Sequence, residues 1–165
     1  MMNSRASTGQ RHRGFTLIEL LVTLALVGLL ASVAIPMTEI STRRVKEQEL
    51  RESLRTIRLA IDAYKKAADE GRIRRTADES GYPPALEMLS DGVVDQRDPR
   101  GAALRFLRQV PRDPLNSDPT LPAAATWGKR SVASSHEHPR EGRDVYDVYS
   151  KDERVGLNGI LYREW

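Results

Sequence analysis

The chain has 165 residues, 26 Lys plus Arg against 23 Asp plus Glu, 39% hydrophobic residues and no cysteine. One domain is the default at that length, a mean hydropathy of -0.51 excludes a polytopic membrane protein, and the lack of cysteine excludes a disulfide scaffold, a cysteine zinc site and a thiol nucleophile. The formal charge of +3 does not indicate a nucleic-acid partner: with Arg5, Arg11 and Arg13 of the first fourteen residues set aside, the 26 basic residues fall to 23 and equal the 23 acidic ones.

Residues 15–36, FTLIELLVTLALVGLLASVAIP, carry a single charge, Glu19, and follow the basic stretch Arg11-His12-Arg13-Gly14. A helix of that length rises about 33 Å, close to the hydrocarbon thickness of a bilayer. Arginines before the span place the N-terminus in the cytoplasm and the rest of the chain outside it. A cleaved secretory signal fits less well, because the apolar run is long and no small-x-small site follows it. Glu19 is costly in a span unless it is partnered. A partner amine on a neighbouring chain, an amine one turn earlier on its own helix, and lipid headgroups are the alternatives.

Gly14-Phe15-Thr16-Leu17-Ile18-Glu19-Leu20, with its basic leader, resembles the processing signal of type IV pilins and type II secretion pseudopilins. The resemblance implies that a prepilin peptidase cuts after Gly14 and methylates the amine of Phe15. It also implies that Glu19 docks against the terminal amine of a neighbouring subunit and that Pro36 marks a kink or melted stretch. Residues 1–14 are then a leader, 15–36 a transmembrane and assembly helix, and 37–165 a periplasmic domain.

Further along, Leu50, Leu54, Ile57, Ile61, Tyr64 and Ala68 recur at steps of four and three, the pattern of an amphipathic helix over residues 40–68. Arg43, Arg44, Lys46, Glu47, Glu49, Arg51, Glu52, Arg55 and Arg58 cover its other faces. Gly71, Gly81 and Pro83-Pro84 predict a loop over residues 71–84. A short helix over 85–89 and a turn at Asp91-Gly92 follow. Residues 102–110 read as helix or strand, and the small, Pro- and Ala-rich stretch 115–125 as an exposed loop. Strands are expected at 127–132, 144–150 and 159–163, the last entered through an Asn158-Gly159 turn. The expected fold is α+β: a long N-terminal helix, half transmembrane and half amphipathic, packed on a small C-terminal antiparallel sheet.

This order is similar to that of the major, G-type pseudopilin of type II secretion, through Tyr82-Pro83, Val110-Pro111-Arg112-Asp113-Pro114 and Val145-Tyr146-Asp147-Val148-Tyr149-Ser150. Two departures stand out. Trp127-Gly128 follows Asp113-Pro114 only after the 115–125 loop. The calcium loop typical of that family corresponds here to residues 150–158, where Lys151 and Arg154 lie among Asp152, Glu153 and Asn158. Calcium takes six to eight oxygens with little competing positive charge, so a polar turn is expected instead.

His136-Glu137-His138 sits among Ser134, Ser135 and Pro139 and reads as an exposed loop, with no metal site expected. Of the aromatic residues, Trp127 and Tyr162 are expected in the core, and Trp165 is the candidate for a surface role. No phosphate loop, nucleophile elbow or supported acid pair occurs, so no catalytic residue is assigned and no cofactor is expected. The resemblance implies a structural subunit that polymerises with itself and other pseudopilins, is processed by prepilin peptidase, and works with an inner-membrane secretion platform to drive protein export. A minor type IV pilin and a signal-anchored periplasmic binding domain are the alternatives.

Overall fold

In the computed structural model residues 15–165 are described, residues 33–39 by their backbone alone. The chain divides into two compact units, one ending at Thr42 and the other spanning Arg43–Trp165. Helix α1 runs over Leu17–Asp69. Its stripe is buried as the spacing predicts: Leu50, Leu54, Ile57, Ile61, Tyr64 and Ala68 all lie in the core of the second unit. Each of the large aliphatic residues among them contributes about 1.5–3 kcal/mol by leaving water. At Gly71, with φ of 70°, the helix stops. There the amide of Gly71 donates to the Ala68 carbonyl and that of Arg72 to the Ala67 carbonyl, satisfying two carbonyls that the helix end leaves open.

After the 71–84 loop come α2 (Met88–Asp91), β1 (Val93–Val94) and β2 (Ala103–Leu104). The short helix expected over 85–89 thus begins later, because residues 85–87 form the turn whose carbonyls accept from Met88, Leu89 and Ser90. Gly92, with φ of 92°, makes the expected turn. Strands β1 and β2 pair antiparallel, Val93 with Leu104 and Val94 with Ala103. Beyond Leu104 the ladder ends, since the amides of Phe106 and Leu107 both turn to the Leu89 carbonyl.

A 3₁₀ turn over Ala123–Thr126 leads into β3 (Trp127–Arg130), which pairs antiparallel with β4 (Asp147–Ser150), Trp127 opposite Ser150. Strand β3 is shorter than expected because Ser131 turns its amide to the Arg140 carbonyl and its hydroxyl to Asp144. Val148 and Ser150 point into the core while Asp147 and Tyr149 are half-buried, the alternation of a strand covered on one face. At Gly128 a side chain would not fit, because a Cβ there would lie 2.3 Å from the Tyr149 ring.

The fold is α+β, with two corrections. The sheet is not continuous but two separate two-stranded ladders. The strand expected at 159–163 is a single bridge between Val155 and Leu161, followed by a 3₁₀ turn over Tyr162–Glu164. Gly159 does make a turn, with φ of 80°. The chain then bends inward, because Tyr162 is buried and its hydroxyl is bonded to α1.

The loop at 115–125 is an excursion whose ends meet. The Trp127 indole donates to the Pro111 carbonyl at 2.8 Å, the Asp113 amide donates to the Thr126 hydroxyl at 3.1 Å, and the Arg112 guanidinium holds the carbonyls of Asp118 and Leu121. Trp127 therefore stands beside the Pro111 segment despite the intervening residues. The excursion is exposed only over residues 117–120 and at Pro122; its remaining residues are half-buried and Ala124 is buried, because these bonds fold it back onto the domain.

Candidate functional site

The N-terminal segment is built around a helix cap. Gly14 lies outside the described residues. Phe15 is 78% exposed and precedes the first helical turn. Thr16 is the N-cap: its carbonyl accepts from the Leu20 amide at 3.1 Å and its hydroxyl from the Glu19 amide at 3.3 Å. The T-x-x-E spacing of Thr16 and Glu19 is a helix-start signature that pattern reading of the apolar span missed. Glu19 is thereby fixed in the first turn of α1, where a carboxylate interacts favourably with the helix dipole. Thr23 and Ser32 donate to carbonyls three residues earlier, so their hydroxyls are satisfied within the helix.

Leu17, Ile18, Leu20, Leu21, Leu24, Leu26, Leu29 and Leu30 are all exposed, an apolar surface far beyond what a lone soluble chain presents. Among the described residues no helix is long and apolar enough to cross a membrane. The apolar stretch described with its side chains, residues 17–32, rises about 24 Å, while the sequence stays apolar through Ile35. Helix α1 is unbroken across Pro36. A kink there falls among residues whose side chains lie outside the description.

In the second unit the densest polar cluster joins α1 to the C-terminal segment. Glu47 is 3% exposed and accepts from the Tyr162 hydroxyl at 2.8 Å and the Leu157 amide at 2.7 Å. Arg43 lies 3.7 Å from the Glu47 carboxylate, donates to the Tyr162 oxygen at 3.1 Å and holds the Val155 carbonyl. Burial pushes the Tyr162 hydroxyl above its ordinary pKa, which keeps it a donor. Arg58 likewise bonds Asp147 at 2.8 Å and the backbone oxygens of Val148 and Trp165. Read by polarity, Arg43, Glu47 and Arg58 belong only to faces of the helix other than its apolar stripe. What that reading lacks is the loop that folds over them.

In the 150–158 segment the side chains of Ser150, Asp152 and Asn158 bond within the chain. Both oxygens of Asp152 are taken by the Arg154 guanidinium at 2.5–3.0 Å, which holds that carboxyl below its usual range. The Asn158 side-chain oxygen accepts from the Ile160 amide, and the Ser150 hydroxyl donates to Asp113. His136 and His138 are exposed on the 131–146 loop, and among the described residues no group of three metal-ligating side chains occurs. Trp127 is fully buried, whereas Trp165 is only partly so, with Arg51 stacked 4.1 Å from its ring centroid and Tyr162 edge-on at 5.1 Å.

A capped helix start one residue past Phe15, an exposed apolar helix and a small α+β unit form a subunit architecture. Residues 9–35 match the family described as a prokaryotic N-terminal methylation motif. The type II secretion system core protein G of Pectobacterium carotovorum is 31% identical over 80% of each chain. The chain belongs to the core protein G family of type II secretion pseudopilins. The corresponding protein of Klebsiella pneumoniae is 30% identical over 76% of this pseudopilin and 84% of its own length. The type IV major pilin of Myxococcus xanthus is 36% identical, over 45% of this chain and 33% of that one. No solved structure gives a significant match. These relatives are structural subunits, and the motif with its apolar segment marks a membrane-anchored protein.

Proposed function

We propose that this pseudopilin is cut after Gly14 by a prepilin peptidase, methylated on the Phe15 amine, and held in the inner membrane with residues 37–165 in the periplasm. It then polymerises with itself and other pseudopilins on an inner-membrane secretion platform, as a mechanical subunit without catalytic activity or a calcium requirement. The observation that carries this reading is the position of Glu19 in a helix that begins directly after Phe15, capped by Thr16. Cleavage would leave an ammonium at a helix N-terminus, where the dipole disfavours it, in surroundings of low dielectric. The carboxylate of a neighbour's Glu19 satisfies that charge and fixes the stagger between subunits.

The test is Glu19→Leu as the sole copy in cells. Mass spectrometry of the N-terminus should show normal processing, while filament formation and export are lost. Export at the wild-type level would return Glu19 to pairing within its own helix or with headgroups. An intact N-terminus in the wild-type protein would favour a signal-anchored periplasmic domain. The Myxococcus relative keeps a second reading in view, a type IV pilus subunit. Deletion that abolishes surface pili and spares export would select it.

A further inference from the structure

A cleft of about 870 Å³ in the second unit is bounded by the end of α1, the 71–84 loop, β1 and the 131–144 segment, a size in the range of binding sites. Its apolar lining includes Tyr64, Ala68, Ile73, Met88, Val93 and Val94. Tyr64 is 5% exposed and packs its ring against Phe106, yet among the described residues its hydroxyl forms no hydrogen bond. Every fully enclosed side-chain oxygen and nitrogen among those residues is bonded, so the Tyr64 hydroxyl is not enclosed, and its open side is the cleft. Burial and the nearby Glu79 carboxylate raise its pKa, which keeps it a donor.

The edge of β1 is open to the same cleft. The Asp95 amide donates to the Ala102 carbonyl at 3.0 Å, which continues the register that pairs Val93 with Leu104. Bonded and non-bonded positions alternate along an antiparallel ladder, so Val94, between them, turns its amide and carbonyl away from β2. Neither group has a partner among the described residues, and Val94 is 55% exposed. Two residues further on, the same edge is occupied, because the Gln96 amide donates to the Arg72 carbonyl at 2.8 Å. The chain thus starts a third strand beside β1 and leaves the position beside Val94 vacant.

We propose that this cleft binds an extended, uncharged segment of a partner protein, added antiparallel to β1 so that one of its residues exchanges both backbone bonds with Val94. That residue shares the exposed face of Val94, and the residues before and after it turn inward with Val93, toward Tyr64, Ala68 and Ile73. The segment is therefore apolar at alternate positions, and the Tyr64 hydroxyl supplies a donor for one of its carbonyls. The charges of the lining balance, which matches an uncharged occupant. Arg74, Arg75 and Arg143 stand against Asp78, Glu79 and Asp144. Each of these acids is held within the chain: Asp78 by the Thr76 hydroxyl at 2.6 Å, Glu79 by the Thr76 amide at 2.8 Å and Asp144 by the Ser131 hydroxyl at 2.6 Å. Arg75 also shares Asp69 with Lys65, and that further pair leaves the sum at zero. The site lies wholly within the second unit and does not depend on the polymer reading above.

The test uses the full chain in lipid nanodiscs, with empty nanodiscs as the blank, titrated calorimetrically with the acetylated and amidated peptide Gly-Ser-Val-Thr-Val-Ser-Gly. Saturable binding of one peptide per chain is expected, with a dissociation constant below about 1 mM. Methylating the backbone nitrogen of the central threonine, or replacing both valines with aspartate, should weaken it by about tenfold or more. Val94→Pro removes an amide that nothing in the chain uses, at an edge position where proline is tolerated, so it should abolish binding and leave the melting temperature within a few degrees. Tyr64→Phe keeps the buried ring and should weaken binding by about threefold or more. No saturation at millimolar peptide, equal binding of the methylated or the aspartate peptide, or unchanged affinity in both variants would overturn the proposal. Each of those results leaves the polymer reading standing, since binding is read on single subunits.

Discussion

Tyr162 donates its hydroxyl to Glu47 at 2.8 Å across 115 residues of chain, and both side chains are buried. Removing one partner strands the other, which costs more than the net value of a hydrogen bond. Tyr162→Phe should lower stability by about 1–2 kcal/mol, since Glu47 keeps the Leu157 amide, and Glu47→Ala by about 3 kcal/mol. Urea unfolding of the detergent-solubilised chain, followed by tryptophan fluorescence, should show the double variant losing less than the sum of the two.

Asp113 is buried, accepts from the Ser150 hydroxyl at 2.6 Å and the Leu115 amide at 2.8 Å, and among the described residues has no cationic partner. Burial raises its pKa, against the opposing effect of those two bonds. A raised pKa in the folded state stabilises below the unfolded value, and the contribution disappears as pH climbs through the folded one. Asp113→Asn should therefore raise the melting temperature by a few degrees at neutral pH, with the gain shrinking on acidification. A gain independent of pH would refute ionisation as the cause.

Calcium at millimolar concentration should move the melting temperature of the wild-type chain by no more than about a degree, because Arg154 already occupies the carboxylate of Asp152. Arg154→Gln should cost about 0.5–1 kcal/mol, as expected of an exposed pair. A calcium-induced rise of many degrees in the wild type would show that the guanidinium is displaced.

Gly128→Ala should destabilise the β3–β4 ladder, because the Tyr149 ring covers the glycine and would have to swing away. The expected loss is about 1–3 kcal/mol, the range for overpacking. Gly128→Ala with Tyr149→Ser should recover part of it, as read from the urea midpoint.

Gly14→Val should block maturation by crowding the scissile bond. The full-length N-terminus should then dominate in mass spectra of isolated membranes. A chain shortened as in the wild type would argue against prepilin peptidase as the processing enzyme.

Reading the residues alone gave the features that depend on short-range pattern. The apolar segment, the Gly14-Phe15 junction, Glu19 and the stripe from Leu50 to Ala68 are local in sequence, since a helix joins neighbours three and four apart. The Asp91-Gly92 turn and the strands containing Trp127 and Val148 were legible for the same reason. The cap by Thr16 was equally local, carried by its spacing to Glu19, and was overlooked beneath the stronger apolar signal. What only the tertiary structure decided are contacts between residues far apart in the chain. Residues 159–163 have the composition of a strand, yet burying Tyr162 against Glu47 outweighs adding a ladder, so they bend into a 3₁₀ turn. Read by polarity, Arg43, Glu47 and Arg58 stand off the apolar stripe, and only the C-terminal segment that closes over them gives them their long-range partners. Burial and partnership depend on which distant segment arrives, and helix or strand periodicity carries no information about that.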